Sequence, residues 1–292
     1  MDEPTKLVIC EGTDPAGPWP AETADALERG SLIHFPALNF ALTPGEHGLV
    51  ARGVVVAKGK NISLDPGGVA AVGLAADEAG AGLIAAMMRR FCDFARLLAL
   101  AVAPGYGSAL VTGRTSFRPI EIAGRPVGDW RADDTRLHTD AFPATPVSGK
   151  RLLRVFANID PKARPRVWRL GGSFEALASQ YLAHIPRPSA LHAALLQLRR
   201  KTRGRRSAYD HYMLHLHDMA KADDAYQANP CQREVAFAPS VWMVFSDQVP
   251  HAAMSGRNAL ETTFYLPVSA QRHPECSPLK VLERLTGQRL VV

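Results

Sequence analysis

The chain has 292 residues, 47% of them hydrophobic and 21% charged, with 34 Lys plus Arg against 28 Asp plus Glu for a net charge of +6. Such a composition can bury a sizeable core and excludes wholesale disorder, and the length is near the upper limit for one hydrophobic core. The four cysteines, Cys10, Cys92, Cys231 and Cys276, make no CxxC pair, which excludes a zinc finger or disulfide framework and suits a reduced cytoplasmic protein.

The N-terminus, MDEPTKLVICEGTDPAGPWP, lacks the basic start and apolar stretch of a secretory signal. No apolar run reaches the roughly 18 residues needed to span a bilayer, so any work on a membrane component is expected from the cytoplasmic side. Short strands and turns are expected over 1–70, around LIHFPALNF and KNISLDPGG. From Ala75 to Val102, apolar residues recur every three or four positions (Leu83, Met87, Met88, Phe91, Phe94, Leu98), which predicts a long helix laid against a sheet. SFRPIEI, TRLHTDA and RLLRVFANI, between Ser116 and Ile159, predict strands separated by turn residues, and RVWRL continues the series. Helical segments follow between about Ser173 and Ala222, after which VWMVFSD and ALETTFYLPV return to strand character. Pro278 suits the first position of a C-terminal helix and Gly287 its end.

This order disfavours regular βαβ alternation and predicts an α+β chain with a mainly β core, an antiparallel sheet or barrel flanked by helices. It reads as a single domain over 1–292: strands and turns over 1–70, a supporting helix over 71–102, a β core over 110–270 with a helical insertion at about 173–222, and a C-terminal helix over 277–292.

His138, Thr139 and Asp140 form an H-x-D triplet, and a strand puts residues two apart on one face. His251, beside a later strand, supplies a third ligand. Two neutral imidazoles and a carboxylate make the facial triad of non-heme Fe(II) oxygenases, which leaves open positions for cosubstrate and oxygen. The tripeptide alone is a weak signal, equally at home in a surface turn. A competing cluster lies in YDHYMLHLHDMA, where His211 and His215 would share a helix face. Tyr212 stands where an HExxH protease needs its Glu, so this cluster, with His217 and Asp218, reads as a polar helix face. No nucleophile elbow, Walker A loop or dinucleotide fingerprint appears.

The charge is polarised. Residues 150–206 hold fourteen cations against Asp160 and Glu175, a net +12, which leaves the rest of the chain at −6. Between Glu175 and Asp210 there is no acid, yet Arg187, Arg199, Arg200, Lys201, Arg203, Arg205 and Arg206 lie there. An anionic partner is expected to meet this middle third. No specific nucleic-acid motif accompanies the charge, so no nucleic acid is expected.

The runs KNISLDP, SFRPIEIAGR, DDTRLHTDAFPATPVSGKRLLRVFANIDP, RVWRLGGSFE, YDHYMLHLHD and FSDQVPHAAMSGRNALETTFYLP resemble the bacterial Kdo hydroxylase family of Fe(II)- and 2-oxoglutarate-dependent dioxygenases, from about Asn61 to Pro267. The resemblance implies a double-stranded β-helix, the jelly-roll or cupin-like fold, and His138, Asp140 and His251 as iron ligands. It implies hydroxylation of the 3-deoxy carbon of Kdo, the acidic sugar on a lipid A precursor, to give Ko, with O2 and 2-oxoglutarate consumed and succinate and CO2 released. Kdo brings a carboxylate and lipid A brings phosphates, both suited to the planar fork of Arg. Arg118, Arg154, Arg166 and Trp168 are the expected substrate-groove residues, against a plainer reading as surface charge and a core Trp.

The far carboxylate of 2-oxoglutarate needs a cation. Glu261 and Thr262, near the spacing many relatives use, cannot serve, so Arg257 is assigned, with Arg154 as an alternative. The run at 199–206 is expected either to meet glycolipid phosphates and the anionic inner membrane peripherally or to be a solvated loop. Two other readings stay open: the same chemistry on another acidic glycan or small metabolite, and a nonenzymatic glycolipid- or nucleic-acid-binding protein.

Overall fold

The computed structural model describes residues 3–291 apart from 58, 59, 69, 76 and 230. The elements in chain order are β1 (Leu7–Ile9), α1 (Glu22–Glu28), β2 (Leu32–Phe35), α2 (Pro44–Arg52), β3 (Ile62–Leu64), α3 (Glu78–Val102), β4 (Val111–Arg118), β5 (Arg151–Asn158), β6 (Arg166–Leu170), α4 (Phe174–Tyr181), α5 (Ala190–Leu198), α6 (Ala208–Ala222), α7 (Asp224–Gln227), β7 (Arg233–Phe237), β8 (Val241–Phe245), β9 (His251–Ser255), β10 (Ala259–Leu266) and α8 (Pro278–Thr286). Two sheets form, one in the order β1-β2-β8-β5-β10-β4-β3 and one in the order β7-β6-β9. Among the described residues, only β1 and β2 pair in parallel; every other strand pairing is antiparallel.

The large sheet is covered on both faces, and strand parity decides which residue goes where. On β5, Leu153, Val155 and Ala157 join a core with Met243, Phe245, Leu260 and Phe264, into which α3 inserts Ile84, Met87, Met88, Phe91 and Leu98. Full burial of each such side chain contributes about 1.5–3 kcal/mol, enough to pin the helix. Asp77 starts α3 by accepting a hydrogen bond from the Gly80 amide at 2.8 Å. The helix starts three residues later than the periodicity suggests; Ala76 lies outside the described residues.

The opposite face of the large sheet meets the small one. There Phe156, Trp242 and Val244 pack on Trp168, Leu170, Val235 and Phe237, with Trp242 stacked on Phe237 at 4.3 Å between ring centroids. A third cluster, from α4, α6 and α8, reaches Leu137 and Ala252 and covers the outside of the small sheet near His251.

Two expected strands fall short. SFRPIEI ends as a strand at Arg118, before Pro119, and TRLHTDA makes a single bridge, His138 to His251, instead of a ladder. β7 and the helices α1 and α2 were not foreseen, because each is short and without clear periodicity. At the C-terminus, Pro278 opens α8, and Gly287 closes it in the left-handed region at φ 66°. Among the described residues, no helix is long and apolar enough to cross a membrane.

Candidate active site

His138 and His251 exchange both backbone hydrogen bonds across their bridge, at 3.1 and 2.9 Å, and the Asp140 amide donates to the Ser246 carbonyl at 2.8 Å. The H-x-D segment is thereby stitched between the end of β8 and the start of β9. Thr139 points the other way and is fully buried. His138 Nε2 lies 3.8 Å from Asp140 Oδ1, and His251 Nε2 lies 3.9 Å from Asp140 Oδ2. The three donor atoms fall within 4.8 Å of one another, and among the described residues no other group of three His, Cys, Asp or Glu converges in this way.

Each imidazole is oriented by its other nitrogen: Nδ1 of His138 donates to the Arg136 carbonyl at 2.7 Å, and Nδ1 of His251 to the Val249 carbonyl at 2.8 Å. A carbonyl only accepts, so the proton sits on Nδ1, and the lone pair on Nε2 faces the centre. Burial, reinforced by His251 and Lys221, pushes the His138 imidazole well below its usual pKa. Burial also lowers that of His251, against a partial upward pull from Asp140. Burial alone would raise the Asp140 carboxyl, but Arg154, the two imidazoles and a hydrogen bond from Ser246 hold it below the usual carboxylate range. Asp140 Oδ2 is buried and accepts no hydrogen bond. Two imidazoles with inward lone pairs and a carboxylate whose Oδ2 accepts no hydrogen bond fit a divalent metal such as Fe(II).

Trp168 stacks on His251, with centroids 4.9 Å apart and planes at 17°, and presents edges to Phe156, Phe237 and Trp242. It is 2% exposed, clamps the His251 ring from within the inter-sheet core, and leaves its Nε1 without a hydrogen-bond partner. His217, read as part of a polar helix face, packs edge-on against His138 at 5.1 Å.

Beside the triad, three arginines enter the space between the sheets. Arg118 and Arg154 grip opposite oxygens of Glu261: Arg118 Nη2 is 2.6 Å from Oε2, and Arg154 Nη1 is 3.2 Å from Oε1. Arg154 Nη1 also lies 3.1 Å from Asp140 Oδ2, which ties the cluster to the metal ligands. Arg166, facing them from β6, is 4% exposed and, among the described residues, forms no ion pair and donates only to the Gly256 carbonyl at 3.1 Å. Burial and the nearby Arg118 push its pKa down to about 10, still a cation at neutral pH. Its Nε has no partner. At the rim, Asp134 joins Lys60 at 2.5 Å and Arg125 at 2.6 Å.

Arg257, the expected cosubstrate anchor, sits in the β9–β10 turn, with its guanidinium beside Gly53 and its Nε buried without a hydrogen-bond partner. Sequence spacing missed Glu261 as the hub because it was judged only as a potential anchor; its alternation on β10 with Ala259 and Thr263 already placed it on the face of Arg154.

The chain matches the family model described as 3-deoxy-D-manno-oct-2-ulosonic acid (Kdo) hydroxylase over residues 16–289. It is similar to the crystal structure of the Kdo hydroxylase KdoO, a non-heme Fe(II) alphaketoglutarate-dependent dioxygenase, in complex with cobalt(II), with 41% identity, 98% of each chain covered and a TM-score of 0.92. The complex of KdoO with alphaketoglutarate and Fe(III) shares 40% identity over 98% of each chain with a TM-score of 0.91, and the succinate and Fe(III) complex 40% over 98% with 0.92. No curated protein matches the chain. The chain thus belongs to the Kdo hydroxylase family, and its two packed sheets are that family's jelly-roll dioxygenase fold.

Proposed function

We propose that the chain hydroxylates the 3-deoxy carbon of Kdo carried on a lipid A precursor, giving Ko, at the cytoplasmic face of the inner membrane. It is an Fe(II)- and 2-oxoglutarate-dependent dioxygenase by family, and the convergence of His138, Asp140 and His251 is the observation that carries the assignment of its iron ligands. Bound Fe(II) with 2-oxoglutarate and O2 supplies the oxidising chemistry, one oxygen atom entering the sugar C–H bond and the other leaving in succinate, with CO2 released.

The protein's own task is to place two anions. Arg118 and Arg154 are paired with Glu261 and Asp140, Asp134 and Glu121 also act on the cluster, and Fe(II) would add two positive charges toward the carboxylates of 2-oxoglutarate and Kdo. Arg166, buried with unmet donors, is the cation with a place for a carboxylate; Arg118 and Arg154, already held by Glu261, orient the approach. An unpaired guanidinium in low dielectric is costly until an anion arrives, so the cluster selects charged ligands over neutral sugars. Trp168 keeps His251 in register, and the neutral imidazoles need no proton loss before metal uptake.

A lipid-borne substrate also explains the surplus of cations at 199–206, which we assign to peripheral contact with the inner membrane. The test is mass spectrometry of a Kdo-bearing lipid A precursor incubated with protein, Fe(II), ascorbate and 2-oxoglutarate. One added oxygen on the Kdo fragment is expected with the wild type and none with His138→Ala or Asp140→Ala; an added oxygen on the His138→Ala sample refutes the ligand assignment.

A further inference from the structure

Among the described residues, α5 is the one α-helix that buries none of its side chains. Its leucines Leu191, Leu195 and Leu198, spaced to share one helix face, are 72%, 39% and 78% exposed. A helix with its apolar stripe turned to water has an unmet burial term, and the residues that follow say what meets it. Arg199, Arg200, Lys201, Arg203 and Arg205 are all exposed, and no acid intervenes between Glu175 and Asp210. Behind the helix lies a cleft of about 590 Å³, with Arg205, Arg206 and Arg289 on its walls, the size of a small anionic headgroup site.

The element is tied to the iron site. The Arg203 amide donates to the Ala144 carbonyl at 2.8 Å, and Arg206 Nη2 donates to the Pro143 carbonyl at 2.9 Å. Those acceptors follow the ligand Asp140 by four and three residues. At its other end, α5 is held near α6 through His211 Nε2 and the Pro186 carbonyl, 2.7 Å apart.

We infer that α5 and the basic run after it form a docking element for an anionic bilayer: the leucines enter the boundary between headgroups and acyl chains, and the cations meet lipid phosphates. An apolar stripe flanked by Lys and Arg, with no acid, is the chemistry of an interfacial helix. A second copy of the chain fits poorly, since a two-fold contact would lay this all-positive patch against itself. Docked in this way, the protein holds the segment after Asp140 at the membrane surface, and the sugar of a membrane-anchored glycolipid reaches the triad without extraction of its acyl chains. The docking deepens the peripheral membrane contact assigned above to 199–206, and its orienting role rests on the proposed lipid-borne substrate.

The test is sedimentation of the full chain with vesicles of phosphatidylglycerol and phosphatidylethanolamine, and with phosphatidylcholine vesicles as the neutral probe, no glycolipid being present. The wild type is expected to sediment with the anionic vesicles only. With about fivefold in partitioning for each cation, Arg199→Gln/Arg200→Gln/Lys201→Gln should lose at least tenfold. Leu191→Ser/Leu195→Ser/Leu198→Ser should lose a comparable factor, with circular dichroism and melting temperature unchanged because the side chains are exposed. Absence of wild-type binding to anionic vesicles, full binding by the leucine variant, or a two-chain mass in solution that the leucine variant halves would overturn the inference. Failure of the sugar reading shows separately, as a Kdo glycolipid that gains no oxygen.

Discussion

The arginines between the sheets and those after α5 are the same residue under opposite physics. Arg118 and Arg154 are desolvated and fixed on Glu261, and Arg166 is desolvated with no acid within ion-pair distance. Arg199, Arg200, Arg203 and Arg205 stand in water. In the first group each charge is strongly felt, depends on its neighbours, and is shielded from salt. In the second, each contributes a small, nearly independent and salt-screened attraction. The first arrangement discriminates among ligands, and the second gathers a surface. A net charge of +12 over residues 150–206 describes neither, since it adds two devices of different kind.

The sharpest way to break the comparison is to delete a buried cation that has a partner and one that has none. Arg151 is fully buried on Asp247, with Nε 2.8 Å from Oδ2, and also donates to Gln271 and Gln248. Arg151→Met strands the Asp247 carboxylate and is expected to lower unfolding free energy by about 3–5 kcal/mol in urea titrations. Arg166→Met strands no carboxylate and frees only the Gly256 carbonyl, so the apoprotein should lose far less stability than Arg151→Met, while kcat/KM falls roughly 30- to 1,000-fold as about 2–4 kcal/mol of anion recognition is lost. A destabilised Arg166→Met protein with full kcat/KM would place Arg166 with Arg151, as framework.

A middle-sized effect comes from the imidazoles, whose pKa values burial depresses. Two ordinary histidines, titrating near 6.5, would cost about tenfold in metal affinity between pH 7 and pH 6. Here burial disfavours protonation of both, so cobalt(II) affinity, read from its absorption spectrum, should fall by less than that tenfold over the same interval. The sign for the fold is fixed by the same shift. As pH falls below about 6.5 the unfolded chain takes up protons that the native state refuses, so the apoprotein loses stability on the acid side. An apoprotein equally stable at pH 7 and pH 5.5 would contradict this.

The sequence made some of this legible and hid the rest for identifiable reasons. The long helix, the strands carrying Arg154 and Trp168, and the C-terminal cap are local patterns of period 3.6, period 2, or turn chemistry, and they appear in the structure nearly where expected. H-x-D and the distant His251 were legible as a ligand set. That they meet through one bridge, instead of along a full strand, depends on β8 and β9 arriving from a hundred residues away. Glu261 was visible only as an unsuitable anchor, because its role needs Arg118 and Arg154 on two neighbouring strands at once. Strand parity puts Trp168 beside Arg166, and parity says nothing of the His251 ring that stacks on it.

The smallest expected effect is the one that separates the two arginine groups most cleanly. Arg203→Gln/Arg205→Gln removes exposed charge and should leave unfolding free energy within about 0.5 kcal/mol of the wild type. Salt then does to the whole run what substitution does to two members. Raising ionic strength from about 0.15 M to 1 M shortens the screening length from roughly 8 to 3 Å, which should strip the protein from anionic vesicles. Over the same range, kcat/KM on a soluble Kdo-bearing oligosaccharide should fall only a few-fold, because Arg166 and Arg154 lie where bulk ions do not reach. If vesicle binding and turnover fall together along one salt curve, the cluster between the sheets is open to solvent ions, and the distinction between a discriminating and a gathering group of arginines is lost.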